Sequence, residues 1–80
     1  MTALVLYGTS ACHLCELAED LLLDVQALRP GLQFEKIDIA NDDQLIERYG
    51  VRIPVLKRLS DGAELGWPFD DFTLREWLAG

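Results

Sequence analysis

"VLYGTSACHLCELAEDLLLD", residues 5–24, runs from an apolar strand-like segment through a short polar loop into a helix that opens on two cysteines. Cys12 and Cys15 are the only cysteines in the chain, with His13 and Leu14 between them. Upstream, "ALVLY" (3–7) is a continuous apolar run, the pattern of a strand covered on both faces. Downstream, Leu14, Leu17, Ala18, Leu21, Leu22, Val25 and Leu28 recur at helical spacing, with Glu16, Glu19, Asp20 and Asp24 on the other side. "RPG" at 29–31 stops that helix.

The remaining segments continue the alternation. "LQFEKIDI" (32–39) mixes apolar and charged residues, which suits a strand near the sheet edge. Asn41 reads as an N-cap with Gln44 as its capping-box partner. The short helix it opens carries Leu45, Ile46 and Tyr49 and ends near Gly50. "PVLKRL" (54–59) and "AELGW" (63–67) flank Ser60-Asp61-Gly62, a hairpin turn. Asp70 or Asp71 caps a last helix in which Leu74, Trp77 and Leu78 share a face, with Phe69 placed to pack on Leu74. The order β-α-β-α-β-β-α predicts an α/β fold with a mixed four-stranded sheet and helices on both faces. Its first two strands are parallel across a helical crossover and its last two antiparallel.

Composition narrows the function. Eighty residues make a single domain over residues 1–80, and with half of them apolar and 26% charged the chain is globular. Seven basic against fourteen acidic residues leave a net charge of −7, which a phosphate backbone would repel, so nucleic acid is not an expected partner. No apolar run approaches the roughly 18 residues of a membrane span. "MTALVLYG" has neither the basic segment nor the cleavage site of an export signal. A cytoplasmic location follows as the expectation, and in that reducing setting a purely structural disulfide would not persist.

Disulfide chemistry needs one thiolate to attack and a second thiol to resolve the mixed disulfide. At a helix start the two positions of C-x-x-C differ. Cys12 meets the unpaired N–H groups and positive end of the helix, which favour its ionised form. Cys15 lies one turn further in and is more buried. That asymmetry makes Cys12 the nucleophile and Cys15 the resolver. A closed zinc site generally takes four ligands, and here there are two thiols and one histidine. A metal or iron–sulfur cluster shared between two chains, or inert cysteines, are the competing readings of the pair. His13 either supplies an imidazolium beside the Cys12 thiolate or is an exposed filler.

With these residues in view, the chain resembles the glutaredoxin-like proteins of the thioredoxin superfamily over essentially its whole length. "VLYGTSACHLCE" (5–16) is similar to the family's strand, active-site loop and helix start. "YGVRIPVL" (49–56) is similar to its second landmark, a segment that ends in a cis-proline ahead of the third strand. The resemblance implies a thioredoxin-like (glutaredoxin-type) fold and a thiol–disulfide oxidoreductase that reduces protein or glutathione mixed disulfides. It implies no bound cofactor, a disulfide-containing protein or glutathione as partner, and glutathione or a thioredoxin-type reductase as electron source. It also implies a cis Ile53-Pro54 bond packed against the dithiol, with the Ile53 backbone pairing with the substrate. The alternative is a non-catalytic module of the same fold that binds a partner or carries a metal or iron–sulfur cluster.

The sequence departs from the family's pattern where glutathione would sit. His13-Leu14 stand in place of Pro-Tyr, and Thr9 in place of a lysine that commonly meets a glutathione carboxylate. Arg52-Ile53 replace Thr-Val before the proline, and Gly66-Trp67-Pro68-Phe69-Asp70-Asp71 replaces a Gly-Gly pair followed by acids. In this reading Arg52 takes over from the lysine and Asp70 or Asp71 meets the amino group. Trp67 and Phe69 either cover the open end of the sheet or form an apolar lip, and Tyr7 either packs in the core or lines the site. Weak glutathione binding and a protein disulfide as preferred substrate are the resulting expectations.

Overall fold

The computed structural model describes residues 2–79. Strand β1 (Thr2–Gly8) carries Leu4, Val5, Leu6 and Tyr7 in succession, all buried. A strand apolar on both faces needs protein on both faces and a partner on each edge. The sheet supplies this with the order β2-β1-β3-β4. Strand β2 (Leu32–Asp38) runs parallel to β1, while β3 (Val55–Arg58) is antiparallel to β1 and β4 (Glu64–Gly66) antiparallel to β3. The mixed strand at 32–38 is therefore an edge, as its charges required.

Alternation along β1 sorts the core into two layers. Leu4 and Leu6 pack with Ala18, Leu22 and Val25 of α1 (His13–Leu28) and with Leu74 and Leu78 of α3 (Asp71–Ala79). Val5 and Tyr7 point the other way, to Ile39, Val55 and Tyr49, the last residue of α2 (Asp43–Tyr49). The Tyr7 and Tyr49 rings stack at 4.3 Å. Helices thus cover both faces. Among the described residues no helix is long and apolar enough to cross a membrane.

Two local expectations are corrected. The apolar stripe of α1 is wider than the surface it covers: Cys15, Ala18, Leu22 and Val25 are buried, whereas Leu14, Leu17 and Leu28 are exposed on its flank. Helix α2 is capped by Asp42, not Asn41. Its carboxylate accepts the N–H groups of Gln44 at 2.9 Å and Leu45 at 3.3 Å. Ile39–Asn41 instead form a 3-10 turn, started by the Asp38 carboxylate on the Ala40 N–H. That turn displaces the helix start by one residue, and a carboxylate is a strong acceptor at the positive end of a helix.

The hairpin between β3 and β4 is longer than a two-residue turn. Arg58 and Ala63 pair across it, and Gly62 takes φ +76°, a conformation that favours glycine. The Asp61 carboxylate accepts from the Ala63 N–H at 3.0 Å and from Arg58 Nε and Nη2 at 2.9 and 2.7 Å. Arg58 also donates to the Trp77 carbonyl and lies 5.0 Å over the Trp77 ring, fastening the turn to α3. The Arg58 guanidinium holds the Asp61 carboxyl at about 2.

A folded pKa below the unfolded value of roughly 3.9 makes this contribution complete above that pH and drains it as pH falls further. Thermal melting from about pH 5 to about pH 2 should show a fall in wild-type stability to which this pair adds a small part. Asp61→Asn should melt lower at neutral pH and lose less across that window. Parallel curves for the two proteins would refute the assignment.

Candidate active site

The end of β1 and the start of α1 are joined by Thr9–Cys12, a tight loop in which the Cys12 N–H donates to the Thr9 carbonyl at 3.3 Å. Cys12 is the N-cap of α1, in extended conformation, and its Sγ accepts the Cys15 N–H at 3.1 Å. An N-cap normally offers an oxygen to that donor; here a sulfur takes the place. Cys12 and Cys15 are disulfide-bonded, with their Cα atoms 5.2 Å apart. Cys12 is half-buried and Cys15 is buried in the arc that faces the sheet. The sixteen-residue helix behind them presents its positive end to the Cys12 sulfur.

The Ile53-Pro54 peptide is cis, as the resemblance implies. The register pairing Tyr7 with Val55 brings Pro54 alongside Gly8 at the same end of the sheet. Gly8 in turn lies against Cys15, so the proline and the sulfur pair flank one residue. The Pro54 carbonyl accepts the Trp67 N–H at 3.1 Å, which adds the 66–69 loop to the group. Trp67-Pro68 is a second cis peptide, not anticipated from the sequence. The Trp67 ring meets Phe69 edge-on at 5.0 Å, and Phe69 is buried in the layer formed by α1 and α3. Of the two readings for these aromatics, covering the sheet describes Phe69, while Trp67 stays half-exposed beside the proline.

Arg52 is engaged within the chain. Its Nη2 donates to Glu64 Oε1 at 3.1 Å, and its guanidinium lies 5.4 Å over the Tyr49 ring. The Tyr49 hydroxyl donates to the other Glu64 oxygen at 2.5 Å. Burial pushes the Tyr49 phenol up, and the Tyr49 and Arg52 donors hold the Glu64 carboxyl below its usual range. Ile53, the residue expected to present its backbone to a substrate, donates its N–H to the Tyr49 carbonyl at 3.0 Å within the chain.

The other expected residues are dispersed. The His13 ring turns to Glu16, Nδ1 to Oε2 3.6 Å, with both side chains largely exposed. Asp70 caps α3 through the Thr73 N–H at 2.7 Å, which holds its carboxyl below the usual range. Asp71 pairs with Arg75 at 3.0 Å. Thr9 lines an open cleft of about 330 Å³ on the β2 side, away from Pro54, with Gly8, Cys15, Glu19, Lys36 and Asp38. Lys36 and Glu19 form an ion pair there at 3.0 Å. Thr9 thus lies in a cleft beside Cys15 and β2, whereas Arg52 is bound to Glu64 of β4, the opposite edge of the sheet. Among the described residues no group of three His, Cys, Asp or Glu side chains is placed to hold a metal ion.

Sequence reasoning missed Gly8 and Glu64. A glycine ending an apolar strand was a usable signal for a close approach. Glu64 gave none, because its partners are 12 and 15 residues away and meet it only across the sheet.

Comparison with known proteins agrees with this geometry. Residues 3–79 match the family model described as a glutaredoxin-like domain (DUF836). None of the curated proteins matches the sequence. Among solved structures, target protein XcR50 from X. campestris is 42% identical, with a TM-score of 0.82 over 95% of each chain. Protein Ne2328 from Nitrosomonas europaea is 30% identical, with a TM-score of 0.80 over 95% of this chain and 89% of its own. Thioredoxin 2 from Pseudomonas aeruginosa PAO1 is 27% identical, with a TM-score of 0.74 over 96% of this chain and 75% of its own. The match over residues 3–79, the thioredoxin-like architecture and the C-x-x-C pair at the helix start agree: the chain belongs to the glutaredoxin-like (DUF836) family of the thioredoxin superfamily.

Proposed function

We propose that this chain is a dithiol disulfide reductase whose preferred substrate is a protein disulfide. The observation that carries the reading is the environment of Cys12: a half-exposed sulfur that caps a sixteen-residue helix and accepts its N–H, joined to a buried partner. An acceptor position at a helix start favours a thiolate over a thiol. In the reduced protein the Cys12 thiolate attacks one substrate sulfur, forming a mixed disulfide and releasing the other substrate sulfur as a thiolate. The Cys15 thiol then loses its proton and attacks Cys12 Sγ. The Cys12–Cys15 bond forms, the second substrate thiolate leaves, and two electrons have passed to the substrate. Two thiols of glutathione, or a thioredoxin-type reductase, return the pair to the dithiol. A reducing compartment such as the cytoplasm suits this cycle.

The preference for protein over glutathione rests on charges already in use. Arg52 is held by Glu64, Asp70 by the start of α3 and Asp71 by Arg75. Thr9, where a lysine would serve, is uncharged. A charge-assisted hydrogen bond to a glutathione carboxylate is worth about 1.5–3 kcal/mol, more than roughly tenfold in affinity. Trp67, tied to Pro54 through its backbone N–H and half-exposed, is apolar and uncharged, which supports docking of an extended protein segment over a charged tripeptide.

In the reduced protein, iodoacetamide should alkylate Cys12 at least about tenfold faster than Cys15 near pH 6. Cys15→Ser should accumulate a mixed disulfide through Cys12 when offered a protein disulfide. Equal labelling of both cysteines, together with no trapped species, would remove the dithiol mechanism. For substrate class, Arg52→Ala should change reduction of a glutathionylated peptide by less than about threefold, since no anchor worth 1.5–3 kcal/mol is lost. Fast, saturable turnover of that peptide in the wild type, with a loss of more than about tenfold in Arg52→Ala, would assign glutathione instead.

A further inference from the structure

We propose that Gly8 is a positioning residue that sets the balance between the disulfide and dithiol forms of the Cys12–Cys15 pair. The inference rests on the reading of that pair as a redox couple and adds what governs its poise. Gly8 is the last residue of β1, and among the described residues only Gly62 takes a positive φ, so the backbone at Gly8 makes no demand for glycine. A glycine in a strand brings no side chain to the packing and loses more conformational freedom on folding than any other residue. What calls for it is space. A β-carbon at this position would lie 2.8 Å from Cys15 Sγ and 3.1 Å from Cys15 Cβ. Non-bonded heavy atoms of this kind rest about 3.5–4.0 Å apart.

The two forms of the pair respond differently to that crowding. In the disulfide, Cys15 Sγ is fixed by its bond to Cys12, and Cys12 is fixed in turn by the Cys15 N–H. Strand β1 is bonded to β2 and β3 on its two edges, and α1 is pressed on the sheet through Ala18, Leu22 and Val25. Neither has room to retreat. In the dithiol, Cys15 is free to turn about χ1 to another staggered position and carry its sulfur away from an added methyl. A side chain at position 8 therefore penalises the disulfide more than the dithiol. With glycine there, the reduced chain gives up its electrons more readily than it would with alanine.

The test equilibrates wild type, Gly8→Ala and Gly31→Ala in mixtures of reduced and oxidised dithiothreitol. Samples are quenched in acid and alkylated, and the two forms are counted by mass. Each protein disulfide that is reduced takes two electrons and two protons from one dithiothreitol, whose thiols close into its cyclic disulfide. Gly31 is the control, a turn glycine between α1 and β2 with open space where its β-carbon would stand. At a given dithiothreitol ratio, the disulfide-to-dithiol ratio of Gly8→Ala should fall by about tenfold, the scale of one overpacked methyl group. Gly31→Ala should stay within about twofold of wild type, since nothing is crowded. Equal ratios for wild type and Gly8→Ala, or a shift toward the disulfide, would overturn the inference. If oxidised Gly8→Ala fails to fold, melting of the reduced protein and of Gly8→Ala/Cys15→Ala decides. Recovery on removal of the sulfur supports the contact, and a loss that survives it overturns the inference. A wild-type pair that never exchanges with dithiothreitol would sink the redox reading itself, an outcome distinct from equal ratios.

Discussion

Strand β1 has a neighbour on each edge and a layer of side chains on each face, and this double burial dictates where the other elements lie. Leu4 and Leu6 need a helix above the sheet, and α1 answers with Ala18, Leu22 and Val25. Each such side chain withdrawn from water contributes about 1.5–3 kcal/mol for a leucine or valine, enough to fix the helix against the strand. Because α1 follows β1 after a loop of four residues, its first turn must lie at the carboxyl end of that strand. The antiparallel register of β3 delivers Pro54 to the same end. The meeting of the sulfur pair and the cis-proline is thus a by-product of burying one strand.

Charge is distributed to serve the same framework. Asp38, Asp42 and Asp70 satisfy N–H groups at helix starts, while Asp61 and Glu64 hold Arg58 and Arg52. Lys36 and Arg75 also have acidic partners, so among the described residues four of the seven basic side chains are engaged in ion pairs. Exposed ion pairs of this kind add little stability, and their effect is to hold side chains in place. A positive potential at the Cys12 sulfur comes from the backbone N–H groups at the start of α1, where that sulfur accepts the Cys15 N–H. Such a source is fixed by the fold and does not depend on the rotamer of a lysine or arginine.

The asymmetry between what could and could not be read from the residues is physical. "ALVLY", the leucine spacing of α1 and the Asp-Gly turn are local patterns, and the parallel crossover and the antiparallel hairpin followed from them. The placement of Cys12 and Cys15 at a helix start was legible for the same reason, while the cis bond before Pro54 was expected from the resemblance of "YGVRIPVL" to a family landmark. Periodicity marks a stripe without its width, so Leu14, Leu17 and Leu28 read as core yet lie in solvent. Asn41 and Asp42 both qualify as caps, and only the intervening 3-10 turn decides between them. The Tyr49–Glu64–Arg52 cluster joins groups 12 and 15 residues apart, which no local pattern marks, and nothing local marks the cis bond at Trp67-Pro68. Arg52 was read as taking over the role of a lysine at the Thr9 position, yet Thr9 lines the cleft beside β2 while Arg52 is held by Glu64 of β4.

Cys15 belongs to the same buried arc of α1 as Ala18, Leu22 and Val25. The chemistry and the architecture therefore draw on one set of atoms, and evolution cannot adjust them independently. Changes in the layer between β1 and α1 reach the sulfur directly, whereas changes in the β3–β4 hairpin act on a segment tied down by Arg58 and Trp77. Lineages carrying this domain should diversify first on the outer faces of α1 and α2, with the buried arc of α1 and the strand beneath it drifting slowly and as a block.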